Sequence, residues 1–186
     1  MARIGGNILL ARRTFVQERG GEVWERVLAR LPEDDRKALR RTLLVTTTYP
    51  FELNLRLDEA IAQELYPGEP ERAFREMGRA SADVNLNGPQ RAFLRAGDPQ
   101  QLLSFAETIY AYYYAEGRRT YQKTGPTTAV LTTYDAPQAT PGDCLTVVGW
   151  HERAIELSGG RNVKVVETKC RSRGHLVCEY QCSWET

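Results

Sequence analysis

The chain predicts an α+β fold, a helical amino-terminal half packed on a four-stranded antiparallel sheet with one crossover helix. Three observations carry this. Apolar stripes at helical spacing follow one another up to residue 113. After Gly117 the pattern turns to alternation rich in Thr, Val and Tyr. Two turn-linked pairs of such segments then flank one further helical stretch, which is the order of a two-layer domain with antiparallel hairpins. A length of 186 residues is enough for one core and short for two. We therefore expect a single domain over 1–186, with 1–116 as the helical half and 117–186 as the sheet half.

Residues 5–18 form a first helix, with Gly5 and Gly6 a poor start for it. Residues 21–31 place Trp24, Val27, Leu28 and Leu31 on one stripe. Pro32 restarts the chain, and Glu33, Asp34 and Asp35 suit the positive end of a third helix. The run Thr46 to Pro50 is an extended break. Leu53, Leu57, Ala60 and Ile61 line a fourth helix that ends before Pro67-Gly68. A fifth, over 70–83, puts Phe74, Met77, Gly78 and Ser81 on one face, and those small residues predict close contact with another helix.

A short helix is expected at 89–96, closed by Gly97. Asp98 and Pro99 then open the most apolar helix of the chain, with Gln101 placed to reach back to the cap. It carries Leu102, Phe105, Ala106, Ile109, Tyr110, Tyr112 and Tyr113, and so must be largely buried. Residues 118–123 and 128–134 read as a hairpin about Gly125-Pro126. Gly142 and Asp143 open a further helix, with Leu145, Val148 and Ile155 on one face, which Gly159 and Gly160 stop. Strands over 162–169 and 176–184 close the fold around a polar turn. If that hairpin centres on Gly174, Cys170 and Cys178 lie opposite each other, roughly 4.5–5.5 Å apart at Cβ.

The formal charge of +1 gives no general attraction to nucleic acid or anionic lipid. No apolar run approaches the ~18 residues that cross a membrane, and Arg12 and Arg13 interrupt the early apolar patch, so no signal peptide is evident. Four cysteines bunched near one end suit a reducing cytoplasm and a metal better than a disulfide framework. His151 and His175 have no Ser or Cys partner at a catalytic spacing, and G-x-S-x-G, P-loop and H-E-x-x-H motifs are missing. We expect a protein that is not an enzyme.

The cysteines are the candidate chemistry. Cys144 heads a helix, where amide dipoles favour a thiolate, and Glu167 lies three residues before Cys170. Cys144, Glu167, Cys170 and Cys178 make a set suited to closed tetrahedral zinc, although spacing alone favours four idle buried thiols. Cys182 lies ~13 Å along the strand from Cys178 and reads as core. His151 lies ~10.5 Å along the helix from Cys144, too far to share an ion. Strict alternation sends Glu167 and Cys170 to opposite faces, so one ion can meet both only if the strand bulges between them.

The Glu-x-x-Cys-x7-Cys hairpin, preceded by a helix headed by Cys144, resembles the 4-vinyl reductase domain family. It is similar to the zinc site in sensor domains of phenol-responsive activators, and the stand-alone relatives found in myxobacteria share its length and helical character. The resemblance implies Cys144, Glu167, Cys170 and Cys178 as ligands of a structural Zn²⁺. It also implies a fold similar to haem nitric-oxide-binding domains and vesicle-tethering subunits. The His and Trp that phenol sensors use are missing, since the first His is His151 and no Trp lies between Trp24 and Trp150. Phenol is therefore not carried over. The Tyr-x-Ser-x-Arg motif and proximal His of the haem relatives are missing too, and haem is not expected.

The functional expectation is a cytoplasmic sensor domain that binds a hydrophobic or aromatic small molecule. Phe105, Ile109, Tyr110 and Tyr113 would line its pocket. The chain ends just after the last hairpin, so a signal would leave through a partner protein. A homodimer through the apolar faces at 51–61, 74–81 and 102–113 is also expected. The alternative is an interaction scaffold without a small ligand, in the manner of the vesicle-tethering relatives.

Overall fold

The computed structural model describes residues 2–186. The chain starts with β1 (Arg3–Gly5) and α1 (Gly6–Gln17), followed by α2 (Gly21–Ala29) and α3 (Glu33–Arg40). Next come β2 (Thr48–Pro50), α4 (Phe51–Leu65) and α5 (Pro70–Leu86). The apolar helix expected from Pro99 onward is two, α6 (Pro99–Ser104) and α7 (Ala106–Tyr113). The second half is β3 (Arg118–Gly125), β4 (Thr128–Tyr134), α8 (Pro141–Leu157), β5 (Arg161–Lys169) and β6 (Cys178–Glu185).

The second half forms one antiparallel sheet in the order β3-β4-β6-β5, so α8 carries the chain from β4 past β6 to the far edge. The α+β expectation of four antiparallel strands and one crossover helix is met. A second, two-stranded sheet of β1 and β2 was not legible, because three-residue strands are too short to show a period.

Two further differences have local causes. The break at Phe105 follows from Ser104, whose hydroxyl donates to the Gln101 carbonyl at 2.7 Å. That carbonyl would otherwise take the Phe105 amide, which turns instead to Leu102 O at 3.1 Å. The short helix expected at 89–96 shrinks to one 3₁₀ turn, Arg91–Phe93. There the amides of Gly88 and Gln90 both fold back on Asn85 O, at 3.2 and 2.9 Å, and Pro89 has no amide to give.

Two apolar cores result. One joins α1, α2, α4, α5 and α7, with Leu9, Leu28, Leu57, Ile61 and Met77 fully enclosed. The other lies under the sheet and includes Leu131, Val165, Tyr180, Cys182 and Trp184. Much of the apolar faces at 51–61, 74–81 and 102–113 is buried within the chain, Phe51, Leu57, Met77, Leu102 and Ile109 in the first core and Leu103 and Ala106 in the second, while Tyr112 stays exposed.

α8 separates the cores and supplies both, with Trp150 and Ala154 on the helical side and Cys144, Val148 and Ile155 on the sheet side. Its contact with α5 runs backbone to backbone through two glycines. A methyl at Gly78 would collide with the Thr146 carbonyl and lie 2.9 Å from Trp150 N, and one at Gly149 would collide with the Arg75 carbonyl. The close contact expected at Gly78 is thus realised, with α8 as its partner. Because the obstacle is backbone, side chains cannot relax it. Gly78→Ala and Gly149→Ala should each destabilise the protein by about 3 kcal/mol, read by urea unfolding, where an exposed glycine changed to Ala would be neutral or stabilising.

Candidate functional site

Two groups of side chains meet at α8. The first is the cysteine cluster. β5 and β6 pair with Glu167 opposite Tyr180 and Lys169 opposite Glu179, so the register slips by one residue between Glu167 and Lys169. This is the bulge that the alternation argument required. Val165 points inward before it and Cys170 after it, while Glu167 stays half-buried. Donor atoms of Cys144, Glu167, Cys170 and Cys178 consequently lie within 4.8 Å of one another. Cys144 Sγ is 3.5 Å from Cys170 Sγ and 3.8 Å from Cys178 Sγ. Sulfurs on one tetrahedral centre with ~2.3 Å bonds stand about 3.8 Å apart.

One carboxylate oxygen of Glu167 accepts from Arg173 at 3.0 Å, while the other is buried without a partner. The Cys144–Cys178 hydrogen bond, helped by the Arg171 amide, lowers Cys178 to about 6, while the same bond and burial drive Cys144 upward. The geometry therefore favours ionisation at Cys178 over Cys144, the reverse of what the helix dipole alone implies. Cys182 stands apart, paired with Ala129 and Val165 in the sheet core, and burial pushes it up to about 12.

The second group lines an internal cavity of about 40 Å³ between the two cores. Ile109, Tyr110 and Tyr113 border it as expected, whereas Phe105 lies outside, 5.2 Å from the Phe93 ring. Both tyrosine hydroxyls are already engaged. Tyr110 donates to Glu116 O at 2.8 Å and accepts from Gln138 at 2.9 Å. Tyr113 donates to Gln90 at 3.2 Å and accepts from Trp150 at 2.9 Å. Burial raises Tyr110 to about 12 and Tyr113 further. A ligand would therefore meet their rings rather than their oxygens.

The polar wall was missed in the sequence. Arg12 is 3% exposed and pairs with Asp58 at 2.6 Å, while Asn54 donates to the other Asp58 oxygen at 3.1 Å. The signal was available, because Arg12 lies four residues from both Ile8 and Val16 on the buried stripe of α1. Arg119 is also buried. It faces inward from β3 with Tyr121 and bonds Thr133, directly opposite, at 2.9 Å. Its guanidinium lies 5.0 Å over Tyr110 and 5.6 Å over Tyr180.

Thr140, not Asp143, caps α8, by accepting from the Asp143 amide at 3.1 Å. The Asp143 carboxylate is thereby free to face the cavity, where it accepts from Tyr114 at 2.8 Å. Loss of solvent raises it to about 7.

His151 lies on the same wall, with Nδ1 2.8 Å from Val147 O. Burial, reinforced by Arg119, lowers it from 6.5 to about 3. A folded state that excludes this proton has its full His151 contribution above pH 6.5 and loses it as the pH falls towards 3, by up to about 5 kcal/mol. Asp143 opposes this between its ordinary 3.8 and about 7, because there the folded state holds the proton better. The difference between His151→Phe and wild type isolates the histidine. Urea unfolding should show the variant gaining on wild type as the pH falls from about 6.5 to about 4. Parallel curves would mean an ordinary, accessible His151.

Comparison with known proteins identifies the family. The chain belongs to the family described as "Protein of unknown function (DUF2378)", whose model matches residues 15–185. No curated protein matches it. Among solved structures it is similar to an H-NOX protein from S. oneidensis in the Fe(II)NO ligation state, at 15% identity and TM-score 0.71, covering 98% of this chain and 99% of that one. The NMR structure of an H-NOX domain from Shewanella oneidensis in the Fe(II)CO state gives 14%, 0.74, 98% and 99%. The Fe(II) unliganded H-NOX protein from K. algicida gives 10%, 0.70, 98% and 97%. At such identities the likeness is one of fold.

Two expectations are corrected. Membership of the 4-vinyl reductase domain family is not upheld, since the match across residues 15–185 is to another family and the structural relatives named are H-NOX proteins. The motif behind it spans only the last fifty residues or so, and one cysteine-bearing hairpin is too local to fix a family. Structural zinc as cofactor is also withdrawn. The relatives' titles speak of Fe(II) and heme, not zinc, and a donor cluster by itself does not name its ion.

Haem does not fit this chain. A cavity of about 40 Å³ holds about three water-sized groups, against ~300 Å³ or more for even a drug-sized ligand. The bond from His151 Nδ1 to Val147 O leaves Nε2 free, so the misfit is one of space and not of the imidazole.

Proposed function

We propose that the chain is a small-ligand sensor domain that reads a compact, polar ligand in the cavity beside α8 and is not an enzyme. The observation that carries this is the cavity itself. It lies between the two cores, is walled by Arg12, Arg119 and Asp143, and receives the side chain of Asn54, 2% exposed, whose Oδ1 has no partner. An orphaned buried acceptor costs roughly 1–3 kcal/mol, and a bound guest that donates to it relieves that cost. The H-NOX-like fold supports the reading, since proteins of that fold carry bound ligands in their titles. α8 borders both cavity and sheet, and would pass occupancy to the surface and on to a partner protein. Four free thiols and no helix long and apolar enough to span a membrane, among the described residues, agree with a cytoplasmic setting.

A melting-temperature screen tests this. Molecules of a few heavy atoms should raise the wild-type melt, and Ile109→Phe, which puts a ring into the cavity, should abolish the shift while circular dichroism stays native. A flat screen favours the scaffold reading, to which the small cavity and the internally satisfied tyrosines already lend support.

The cysteine cluster belongs to the same proposal as a separate metal site. Cys144, Glu167, Cys170 and Cys178 would hold a thiophilic ion, supported by the sulfur separations and the orphaned Glu167 oxygen. Elemental analysis should find metal in wild type and in Cys182→Ser, and lose it in Cys144→Ser, Cys170→Ser and Cys178→Ser. Metal-free wild type with an unchanged melt after chelator would leave the cysteines as ordinary core.

A further inference from the structure

The two buried arginines of the cavity are held differently. Arg12 is neutralised by Asp58, but Arg119 has no carboxylate within 4 Å among the described residues. Its hydrogen bond goes to the neutral Thr133 hydroxyl, and its other neighbours are the faces of Tyr110 and Tyr180. Asp143 shares the wall, yet its hydrogen bond comes from Tyr114, not from Arg119. A guanidinium at 6% exposure with no carboxylate in direct contact is an uncommon arrangement, because a buried charge is costly unless paired, and Asp143 on the same wall acts on it only through space. Aromatic faces offset part of that cost, and a bound anion would offset the rest.

The shape and the second polar feature narrow the class. Space for about three water-sized groups admits three or four heavy atoms and no more. The planar guanidinium fork matches two oxygens on one carbon, in plane and bidentate. Asn54 offers the opposite polarity, an acceptor facing the cavity that needs a donor.

We propose that the cavity binds a small planar monoanion with O–C–O geometry, anchored by Arg119 and donating a hydroxyl to Asn54. Hydrogencarbonate carries both features, and formate carries the first. This deepens the sensor reading and rests on it, since it names the ligand class of the same cavity. Arg119 is the specificity-determining residue, because a neutral molecule of equal size offers its guanidinium one acceptor at most and no opposing charge.

The test titrates the full chain, by calorimetry and by tryptophan fluorescence through Trp150 on the cavity wall, at constant ionic strength. Its four titrants are sodium hydrogencarbonate, sodium formate, formamide and sodium benzoate. Saturable binding is expected for the first two, with hydrogencarbonate tighter, at least tenfold weaker binding for neutral formamide, and none for benzoate. Arg119→Gln should weaken both anions about tenfold or more, and Asn54→Leu should remove the preference for hydrogencarbonate while sparing formate. If Arg119→Gln does not fold, the contrast between formate and formamide decides the matter on wild type alone. Formamide binding as tightly as formate overturns the anion class while leaving a small-ligand site standing. If none of the titrants binds and the small-molecule melting screen is also flat, the cavity holds only water and both readings fall.

Discussion

The backbone contact between α5 and α8 is the constraint from which the rest of the arrangement follows. With no side chain at Gly78 or Gly149, α8 lies against α5 closely enough to wall off the helical core from the sheet core. That position fixes three things together. Cys144 meets the β5–β6 hairpin, Asp143 and His151 face inward, and a cavity remains where Gly78 and Ser81 leave room opposite Tyr113 and Trp150. Larger residues at the crossing would push α8 outward and separate all of these. Salt bridges along the same crossing, Arg79 to Glu156 at 2.7 Å and Arg153 to Asp83 at 2.9 Å, are partly exposed and contribute little beside the packing.

Most elements were legible because their signals are local and periodic. The stripes of α2 and α4, the acidic start of α3, the Asp98 cap of α6 and the alternation of β3 and β4 each depend on a few neighbouring residues. The break at Phe105 was not, since it turns on one hydroxyl competing for one carbonyl. The cysteine cluster was readable to the level of its bulge, because period-two geometry forbids Glu167 and Cys170 from sharing a face without one. Its ion and its family were not readable, because spacing within one hairpin carries neither.

The cavity was half legible. Periodicity found its apolar wall at Ile109, Tyr110 and Tyr113, where residue type and burial agree. It missed Arg12, Asn54 and Arg119, because there they disagree and the pattern was read as if charge implied solvent. Arg12 on the buried stripe of α1 and Arg119 on the inward face of β3 break the local rule, and such breaks concentrate at functional positions. A likeness of fold does not carry a site with it, and the space between the cores is lined here by charge and aromatic rings.

The central claim is that this space is a site for a compact polar guest. The most direct measurement is a crystal structure of the purified protein at a resolution that separates water from a bound molecule. Continuous, flat density is expected between Arg119 and Asn54, too large for one water and bonded to both. Separate water peaks there, or a collapsed cavity with Arg119 turned onto a carboxylate, would contradict it.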